Sequence, residues 1–363
     1  MRVKLKDITK FSKGTQINGK NLIDDGAYSY LNGGINPSGK WNEFNVAENT
    51  VTISEGGNSS GYVNYMSKAF WCGAHCYYLY DGPKNSKYLY YALKSQQERL
   101  FRIRSGACMP NIKKSDLGNF IIEYEEDETR QEEVVKVLEK CELLIEDYNK
   151  KLALLDEAVK ARFVEMFGDP VINSCQFPVQ PMTDICDIID GDRGKNYPKS
   201  EEILDDGYCL FLNAKNVTQK GFDFESCNFI TREKDDALRN GKLLRGDVVL
   251  TTRGTVGNLA FYSKNVPYDN IRINSGMVIL RMNRSILNEI YFIELFKMKL
   301  SDIKEKIASG SAQPQLPIST MNKIVLMIPP LELQNQFASF VKEIDKSRLL
   351  NNHSLLLLKS IIF

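Results

Sequence analysis

The chain has 363 residues, of which 43% are hydrophobic and 26% are charged, an ordinary composition for a globular protein. This length exceeds what one average core supports, so two or more domains are expected. The formal net charge of +1 is too small for the chain to bind nucleic acid through its overall charge. Any phosphate-binding charge therefore has to form a local face.

The sequence contains no run of 18 apolar residues, and its N-terminus, MRVKLKDITK, lacks the apolar core of a signal peptide. These features predict a cytoplasmic protein. The eight cysteines are scattered through apolar or mixed stretches, so they are expected to be reduced thiols rather than disulfides.

Residues 1–126 are predicted to form a first α/β domain, here called the first head, with a charge balance of +4. Within it, residues 49–61 read NTVTISEGGNSSG, a strand followed by a loop of small polar residues. Such residues pack poorly, whereas glycine lets backbone N–H groups approach a phosphate. Asp24-Asp25, before a glycine, is interpreted as a turn that precedes a strand.

Residues 127–168 are predicted to form a long helix, because Glu128 to Phe167 contains no glycine or proline and Gly168 follows. This segment carries a charge balance of −4. Apolar residues recur at seven-residue spacing in two files: Val134, Cys141, Tyr148 and Leu155, and Leu138, Ile145, Leu152, Val159 and Met166. By itself this pattern fits a core helix, a homodimer zipper or a coiled coil.

Residues 169–328 are predicted to form a second head, because their sequence repeats that of the first in the same order. The segment SGACMPNIKKSDLGNFII (105–122) matches SGSAQPQLPISTMNKIVL (309–326). Three further matches are LIDDGAYSYLN (22–32) with ILDDGYCLFLN (203–213), LKDI (5–8) with MTDI (182–185), and GYVNYMSK (61–68) with GNLAFYSK (257–264). These matches therefore predict that one domain has been duplicated. In the strand before Arg253, Val248 and Leu250 are expected to alternate with polar positions.

Residues 329–363 are predicted to form a second long helix after Pro329-Pro330, with one apolar face made of Phe337, Val341, Ile344, Leu355, Leu358 and Ile362. Two heads that alternate with two helices predict antiparallel pairing of the helices within one chain. The predicted class is thus α+β, with two similar α/β domains separated by two long antiparallel coiled-coil helices and an internal pseudo-twofold repeat. Polar breaks at Ser347, Arg348, Asn351 and Asn352 indicate imperfect pairing, or a face toward another protein.

Two unlike reading heads on a rigid spacer suit a bipartite, asymmetric DNA site, because the grooves of B-DNA recur every ~34 Å. Arginine can bond guanine, and Ser, Thr and Asn suit bases or phosphates. In the first head the candidate DNA-binding residues are Lys13, Gln16, Lys20, Asn36, Ser38, Lys40, Asn58, Ser59, Ser60 and Tyr62. In the second head they are Arg193, Lys195, Lys199, Lys215, Asn216, Lys220, Arg253, Thr255 and Tyr262. Each alone is equally typical of an ordinary turn, a solvated loop or, for the tyrosines, a core.

The whole chain resembles the specificity (S) subunits of type I restriction–modification systems. The resemblance lies in the duplicated head, the SGxxxPxI/L motif that closes each head, the FVEMFGDP junction (163–170) and the IPPLELQNQF start of the second helix (328–337). It implies that the heads are target-recognition domains and that the helices are a spacer clasped by two modification subunits. Those partners would form an adenine-N6 methyltransferase, and restriction subunits would add ATP-driven translocation and cleavage. S-adenosylmethionine, ATP and magnesium are therefore expected in the partners, and no cofactor, metal or catalytic residue in this chain.

The residues themselves supply no common catalytic motif. The sequence has no GxGxxG, no GxxxxGK[ST] and no [DNS]PP[YFW] stretch, and it has only two histidines. The CGAHC stretch (72–76) is incomplete as a metal site, and its neighbours Phe70, Trp71 and Tyr77 are interpreted as strand core. Two alternatives stay open: a fused methyltransferase or nuclease, for which no stretch is left over, and an adaptor whose heads bind proteins. Steep loss of affinity with salt would favour DNA over protein as the ligand.

Overall fold

The structure is a computed structural model that describes residues 1–106, 108–308 and 315–362, with only the backbone of 301–308 and 362. It divides into two compact units, one made of residues 1–152 and 350–363 and the other of residues 153–349. The predicted segment bounds at 126, 168 and 328 follow helix ends, whereas the division by compactness passes through both long helices.

In the first unit, strands and helices alternate in short elements before one long helix. The strands are β1 (Arg2–Lys4), β2 (Lys10–Lys13), β3 (Tyr28–Leu31), β4 (Gly39–Trp41), β5 (Thr50–Ser54), β6 (Val63–Met66), β7 (Phe70–Cys72), β8 (Cys76–Tyr80) and β9 (Ile121–Glu123). The helices are α1 (Leu5–Ile8), α2 (Ser86–Lys94), α3 (Gln97–Arg102) and α4 (Lys114–Gly118), followed by α5 (Glu128–Phe167), whose residues from Ala153 onward belong to the second unit.

The second unit has the same kind of composition. Its strands are β10 (Val179–Pro181), β11 (Cys186–Asp190), β12 (Cys209–Phe211), β13 (Val217–Thr218), β14 (Gly221–Phe222), β15 (Phe229–Ile230), β16 (Val248–Thr251), β17 (Leu259–Phe261), β18 (Ile271–Arg272), β19 (Met277–Met282) and β20 (Val325–Met327). Its helices are α6 (Met182–Ile185), α7 (Arg232–Ala237), α8 (Glu289–Ala308) and α9 (Ile318–Met321), followed by the second long helix, α10 (Leu331–Ile362).

The sheets of the two heads have the same topology. A four-stranded antiparallel sheet has the order β2-β8-β5-β6 in the first head and β11-β19-β16-β17 in the second. A three-stranded sheet, β4-β3-β7 or β15-β12-β18, combines one antiparallel and one parallel pair in each head. A two-stranded pair, β1-β9 or β10-β20, completes each set. The predicted duplication is confirmed, and the β13-β14 hairpin is an addition of the second head.

The four-stranded sheet of the second head is buried on both faces. Val248 and Leu250 pack into the cluster that contains Phe163 and Phe337, whereas Val249 packs into a separate cluster with Leu210 and other residues of the three-stranded sheet. The expected alternation with polar positions is therefore wrong at residue 249, because this strand faces apolar side chains on both sides. Strands buried in this way are near-continuous apolar runs.

The long helix α5 begins at Glu128 and ends at Phe167, as predicted, and Gly168 follows in the left-handed region at φ +73°. The heptad files from Leu138 and from Cys141 onward are at least half-buried. Val134 is the exception, with 41% exposure. Its place in the stripe is taken by Val135 and by Gln131, whose amide donates to the Tyr124 hydroxyl at 3.1 Å.

Contacts within each unit show how the two long helices pair. In the second unit, Phe163 packs against Phe337 with ring centroids 5.4 Å apart, and Asp156 accepts from Arg348 at 2.6 Å. Higher numbers in α5 thus meet lower numbers in α10, so the pairing is antiparallel. In the first unit, Cys141 packs in one cluster with Leu358. The polar break at Arg348 is part of this pairing rather than a gap in it.

Several smaller predictions can also be compared with the structure. Asp24-Asp25 lies in a turn before β3, as predicted, and Asp205-Asp206 lies in the corresponding bend before β12. All eight cysteines are free thiols. Within the described part of the chain, no helix combines the length and the apolar character that crossing a membrane requires.

The aromatic cluster at the end of α5 generates a prediction about stability. Phe163 is fully buried between Tyr291, Phe167 and Phe337, so Phe163→Ala should lower the free energy of unfolding by about 3–5 kcal/mol. The control is Val164→Ala, one residue further along and exposed, which should change it by less than about 0.5 kcal/mol. Urea unfolding followed by circular dichroism measures both, and equal effects would contradict the packing described.

Candidate nucleic-acid interface

The candidate site lies at one end of each four-stranded sheet, where the central strand gives way to a polar loop. In the first head, β5 ends at Ser54, and the amide of Glu55 donates to the carbonyl of His75 at 2.8 Å. The amide of Ile112 donates to the Glu55 carbonyl at 2.9 Å, and Gly56 forms a β-bridge with Asn111. The SGxxxPxI/L motif is thereby pinned to the loop.

The second head repeats this backbone arrangement. The amide of Thr252 donates to the Gly276 carbonyl at 2.8 Å, and the amide of Leu316 donates to the Thr252 carbonyl at 3.0 Å. Arg253 forms the corresponding β-bridge with Gln315. Residues 309–314 of the second motif lie outside the described residues. The sequence identified the motif, and the structure assigns it a role: it braces the loop that follows the central strand.

The side chains on this shared arrangement differ between the heads. In the first head, the carboxylate of Glu55 lies 2.7 Å from Lys13 Nζ and 3.4 Å from His75 Nδ1. The Glu55 side chain is only 15% exposed, whereas that of His75 is 60% exposed. Sequence reasoning selected Lys13 but missed Glu55 and His75, because no local pattern joins residues so far apart in the chain.

In the second head, two arginines line one cleft of about 220 Å³ together with Asp190, Thr252 and Gln315. The guanidinium of Arg193 bonds Asp190 at 3.0 Å and the Ser275 carbonyl at 3.3 Å. Arg253 is exposed at the same cleft. Both arginines are predicted candidates, and the structure brings them together.

Further predicted residues lie on loops that are hydrogen-bonded to the loop after the central strand of each head. In the first head, Ser59 Oγ donates to the Gly33 carbonyl at 2.6 Å, which holds the β3–β4 turn with exposed Asn36 and Ser38 beside the loop containing Asn58. In the second head, Asn258 Nδ2 donates to the Val217 carbonyl at 2.9 Å. This bond connects the β13–β14 hairpin to the loop that contains Thr255. Lys215 is exposed just before that hairpin, and Lys220 is exposed in its turn.

The other predicted DNA-binding residues are exposed, but they lie on segments away from the loop after the central strand. Lys40 lies in β4, and its carbonyl accepts from Ile23, on the segment that also carries Lys20. Gln16 follows β2, and its amide group donates to its neighbour's carbonyl, that of Ile17, at 3.2 Å. Lys195 and Lys199 lie in the loop after β11, where the Lys199 amide donates to Glu202.

The structure places three predicted DNA contacts in the interior, because their side chains are buried and hydrogen-bonded within the heads. Ser60 is fully buried and its hydroxyl donates to the Glu55 carbonyl at 2.8 Å. Asn216 is 1% exposed and its amide donates to the carbonyls of Asp223 and Ser226. Tyr262 is 1% exposed and its hydroxyl donates to the Tyr268 carbonyl at 2.7 Å. Tyr62, also a candidate, is half-buried, with Lys94 Nζ 3.7 Å from its ring centroid. The remaining candidates stay predictions.

A buried carboxylate shapes the loop that carries Arg193. Asp192 accepts from the amide of Gly194 at 2.7 Å and from the amide of Arg239 at 2.8 Å. These bonds, that from Gly194 foremost, hold the pKa of Asp192 below its ordinary value of 3.8. Its charged form therefore stabilises the loop at neutral pH.

The chemistry available at both loop ends is hydrogen bonding and charge. Among the described residues, no group of three or more His, Cys, Asp or Glu side chains is placed to hold a metal ion. Phe70 and Tyr77 are buried in β7 and β8 beside Cys72 and Cys76, which confirms the strand-core interpretation of these neighbours, and residues 73–75 lie between the two strands. The site can donate to phosphates and base edges through Lys, Arg, Asn and Ser side chains.

Comparison with known proteins identifies the family to which the chain belongs. The family model described as the type I restriction modification DNA specificity domain matches residues 1–156 and 177–359. A Mycoplasma genitalium protein named "Putative type I specificity subunit" is 28% identical over 353 residues, covering 92% of this chain and 84% of that protein. The type I restriction enzyme MjaIX specificity subunit of Methanocaldococcus jannaschii is 28% identical over 295 residues, covering 76% and 66%.

Solved structures show the same fold. The S subunit of a type I restriction–modification system from M. genitalium superposes with a TM-score of 0.59 at 22% identity, over 100% of this chain and 93% of that one. A chain from a structure of type I system assembly and conformational transition gives 0.53 at 14% identity, over 100% and 95%. The chain belongs to the type I restriction–modification DNA specificity family, and both the predicted resemblance and the fold class are confirmed. It is a non-catalytic specificity subunit; catalysis resides in partner subunits.

The Asp192 loop generates a prediction at this site. Asp192→Asn should lower the free energy of unfolding by about 1–3 kcal/mol at pH 7, because one neutral amide oxygen replaces the two carboxylate oxygens that accept from the amides of Gly194 and Arg239. The stabilisation is present above the ordinary pKa and is lost as the pH falls through the lowered pKa, so the difference from the parent should shrink below pH 3.8. Chemical denaturation measures it, with Asp205→Asn in an exposed turn as control. Equal stability of the two variants at pH 7 would contradict the assigned role.

Proposed function

We propose that each head reads one half of a bipartite DNA site through the loop end of its four-stranded sheet. The two half-sites are unlike, and a stretch of unread base pairs separates them. The first head reads with the region around Lys13, Glu55 and Asn58, and the second with the cleft around Arg193 and Arg253. The site as a whole is asymmetric.

One observation carries this proposal. The two heads keep the same backbone hydrogen bonds at the loop end, to within 0.1 Å, yet carry different residues at four corresponding positions there. Lys13 corresponds to Asp190, Glu55 to Thr252, Gly56 to Arg253, and Asn111 to Gln315, by strand register and bridge partners. A constant scaffold with changed polar groups supports two reading surfaces that recognise different bases.

The charges at these ends also favour a nucleic acid as the ligand. Lys13 pairs with Glu55, and Arg193 pairs with Asp190, so these two carboxylates at the loop ends are each paired with a cation. Pairing reduces the repulsion that a lone carboxylate would exert on phosphates. Arg253 and the exposed loop lysines then supply attraction to the backbone, and such attraction weakens steeply with salt.

The two long helices are proposed to hold two modification subunits, to which restriction subunits add. Large apolar side chains stand exposed along them, including Leu143 and Leu154 on α5 and Leu349, Leu356 and Leu357 on α10. Several large apolar side chains exposed along one pair of helices suit a surface that binds other proteins. We expect S-adenosylmethionine, ATP and magnesium to bind in those partners, the paired helices to act as a coiled-coil spacer, and the assembly to work on DNA in the cytoplasm. Copurification with the modification subunits tests this directly.

The proposal predicts the effect of removing one arginine. Arg253→Ala should weaken recognition of the second half-site by about 1–3 kcal/mol, the value of a bidentate arginine–base contact, and leave the first half-site unchanged. Competition binding of the assembled complex, with duplexes that each carry one base change, measures it. The control is Lys264→Ala, which removes the same charge in a turn beyond the opposite end of β17.

The two outcomes separate sharply. A loss confined to a few positions in one half-site supports direct reading by Arg253. Binding that stays unchanged, or that weakens equally at all sequences as in the control, would show that Arg253 does not read bases.

A further inference from the structure

Each head presents one residue that pairs with the closing motif at the tip of the central strand, Gly56 in the first and Arg253 in the second. We propose that this is the same base-reading position in both heads, filled by a guanidinium in the second head and left without a side chain in the first. The inference rests on the proposed function and deepens it, because it names a single exchangeable specificity position.

The equivalence of the two residues follows from their neighbours. Gly56 follows Glu55, whose amide donates to the turn before β8 and whose carbonyl accepts from the closing motif. Arg253 follows Thr252, which forms the same two bonds with the turn before β19 and with the second motif. The paired residue across the bridge is Asn111 or Gln315, each an amide side chain. The two positions thus share backbone direction, bonding partners and the chemistry of the facing residue.

Gly56 is not required to be glycine by the backbone. Its φ is outside the left-handed region, and a Cβ built on it meets no atom within 4 Å. Its neighbour Gly57 has a φ of +78°, and a Cβ on Gly73 would lie 2.1 Å from Asn32 Oδ1. Those two glycines have structural reasons, whereas Gly56 has open space in front of it.

A side chain introduced at residue 56 would also be free to act. Adjacent residues in an extended segment point to opposite sides, so it would point away from the Glu55 side chain. The Glu55 carboxylate is in any case already bonded to Lys13 and lies beside His75. Arginine there would be placed as Arg253 is in the second head, and arginine bonds guanine O6 and N7.

The experiment is a gain of specificity. The full chain, assembled with its modification subunits, is used to select duplexes from a random pool, as parent, Gly56→Arg and Gly56→Gln. We expect Gly56→Arg to favour guanine, and Gly56→Gln adenine, at one and the same position of the first half-site. The preference should amount to about 5- to 150-fold, and the second half-site should stay unchanged. The half-site assignment comes from Arg253→Ala in the same assay.

The control is Gly19→Arg, which adds the same charge to the same head at another glycine with open space in front of it. It should raise affinity for all sequences without changing the selected site. A parent that selects no sequence overturns the proposed function itself. A parent that selects a bipartite site, while Gly56→Arg and Gly56→Gln select the same site or lose binding, overturns only the equivalence of residues 56 and 253. Thermal unfolding of both variants should match the parent, and a lower melting temperature would show that the space is not open.

Discussion

The structure depends on one backbone contact that occurs in both heads. The residue after the central strand accepts a hydrogen bond from the closing motif, at 2.9 Å from Ile112 in the first head and 3.0 Å from Leu316 in the second. Because main-chain groups form this contact, it does not depend on which side chains are present. The loop can therefore change its sequence while its position at the end of the sheet stays fixed. That separation of scaffold from side chain is what a subunit that specifies DNA sequence requires.

Packing keeps this loop end rigid. In the second head the central strand is buried on both faces, with Val248 and Leu250 in one cluster and Val249 in another. The first cluster continues into the aromatic residues where α5 and α10 meet, so the sheet of the second head and the antiparallel helix pair share one core. A recognition surface built on such a core is held more precisely than one carried on a free loop.

Much of the fold could be predicted from the sequence, because a repeat of matching segments reports topology before any contact is known. The ends of α5 were predictable from Gly168 and from the lack of glycine and proline before it. The local pattern failed where tertiary packing decides: Val134 is exposed, and Val249 has an apolar neighbour on the second face. Composition alone could not separate Asn58, which is exposed, from Ser60, which bonds a carbonyl inside the head. Nor could it join Lys13, Glu55 and His75, which meet only because β2, β5 and β8 are neighbours in one sheet.

The central claim is that two similar scaffolds with different side chains recognise two different half-sites on one DNA duplex. Long-read detection of methylated adenine, in DNA from cells that carry this chain with its modification subunits, tests it most directly. The account predicts one motif made of two different half-sites separated by unread base pairs. A single uninterrupted motif, or two identical half-sites in inverted order, would contradict it.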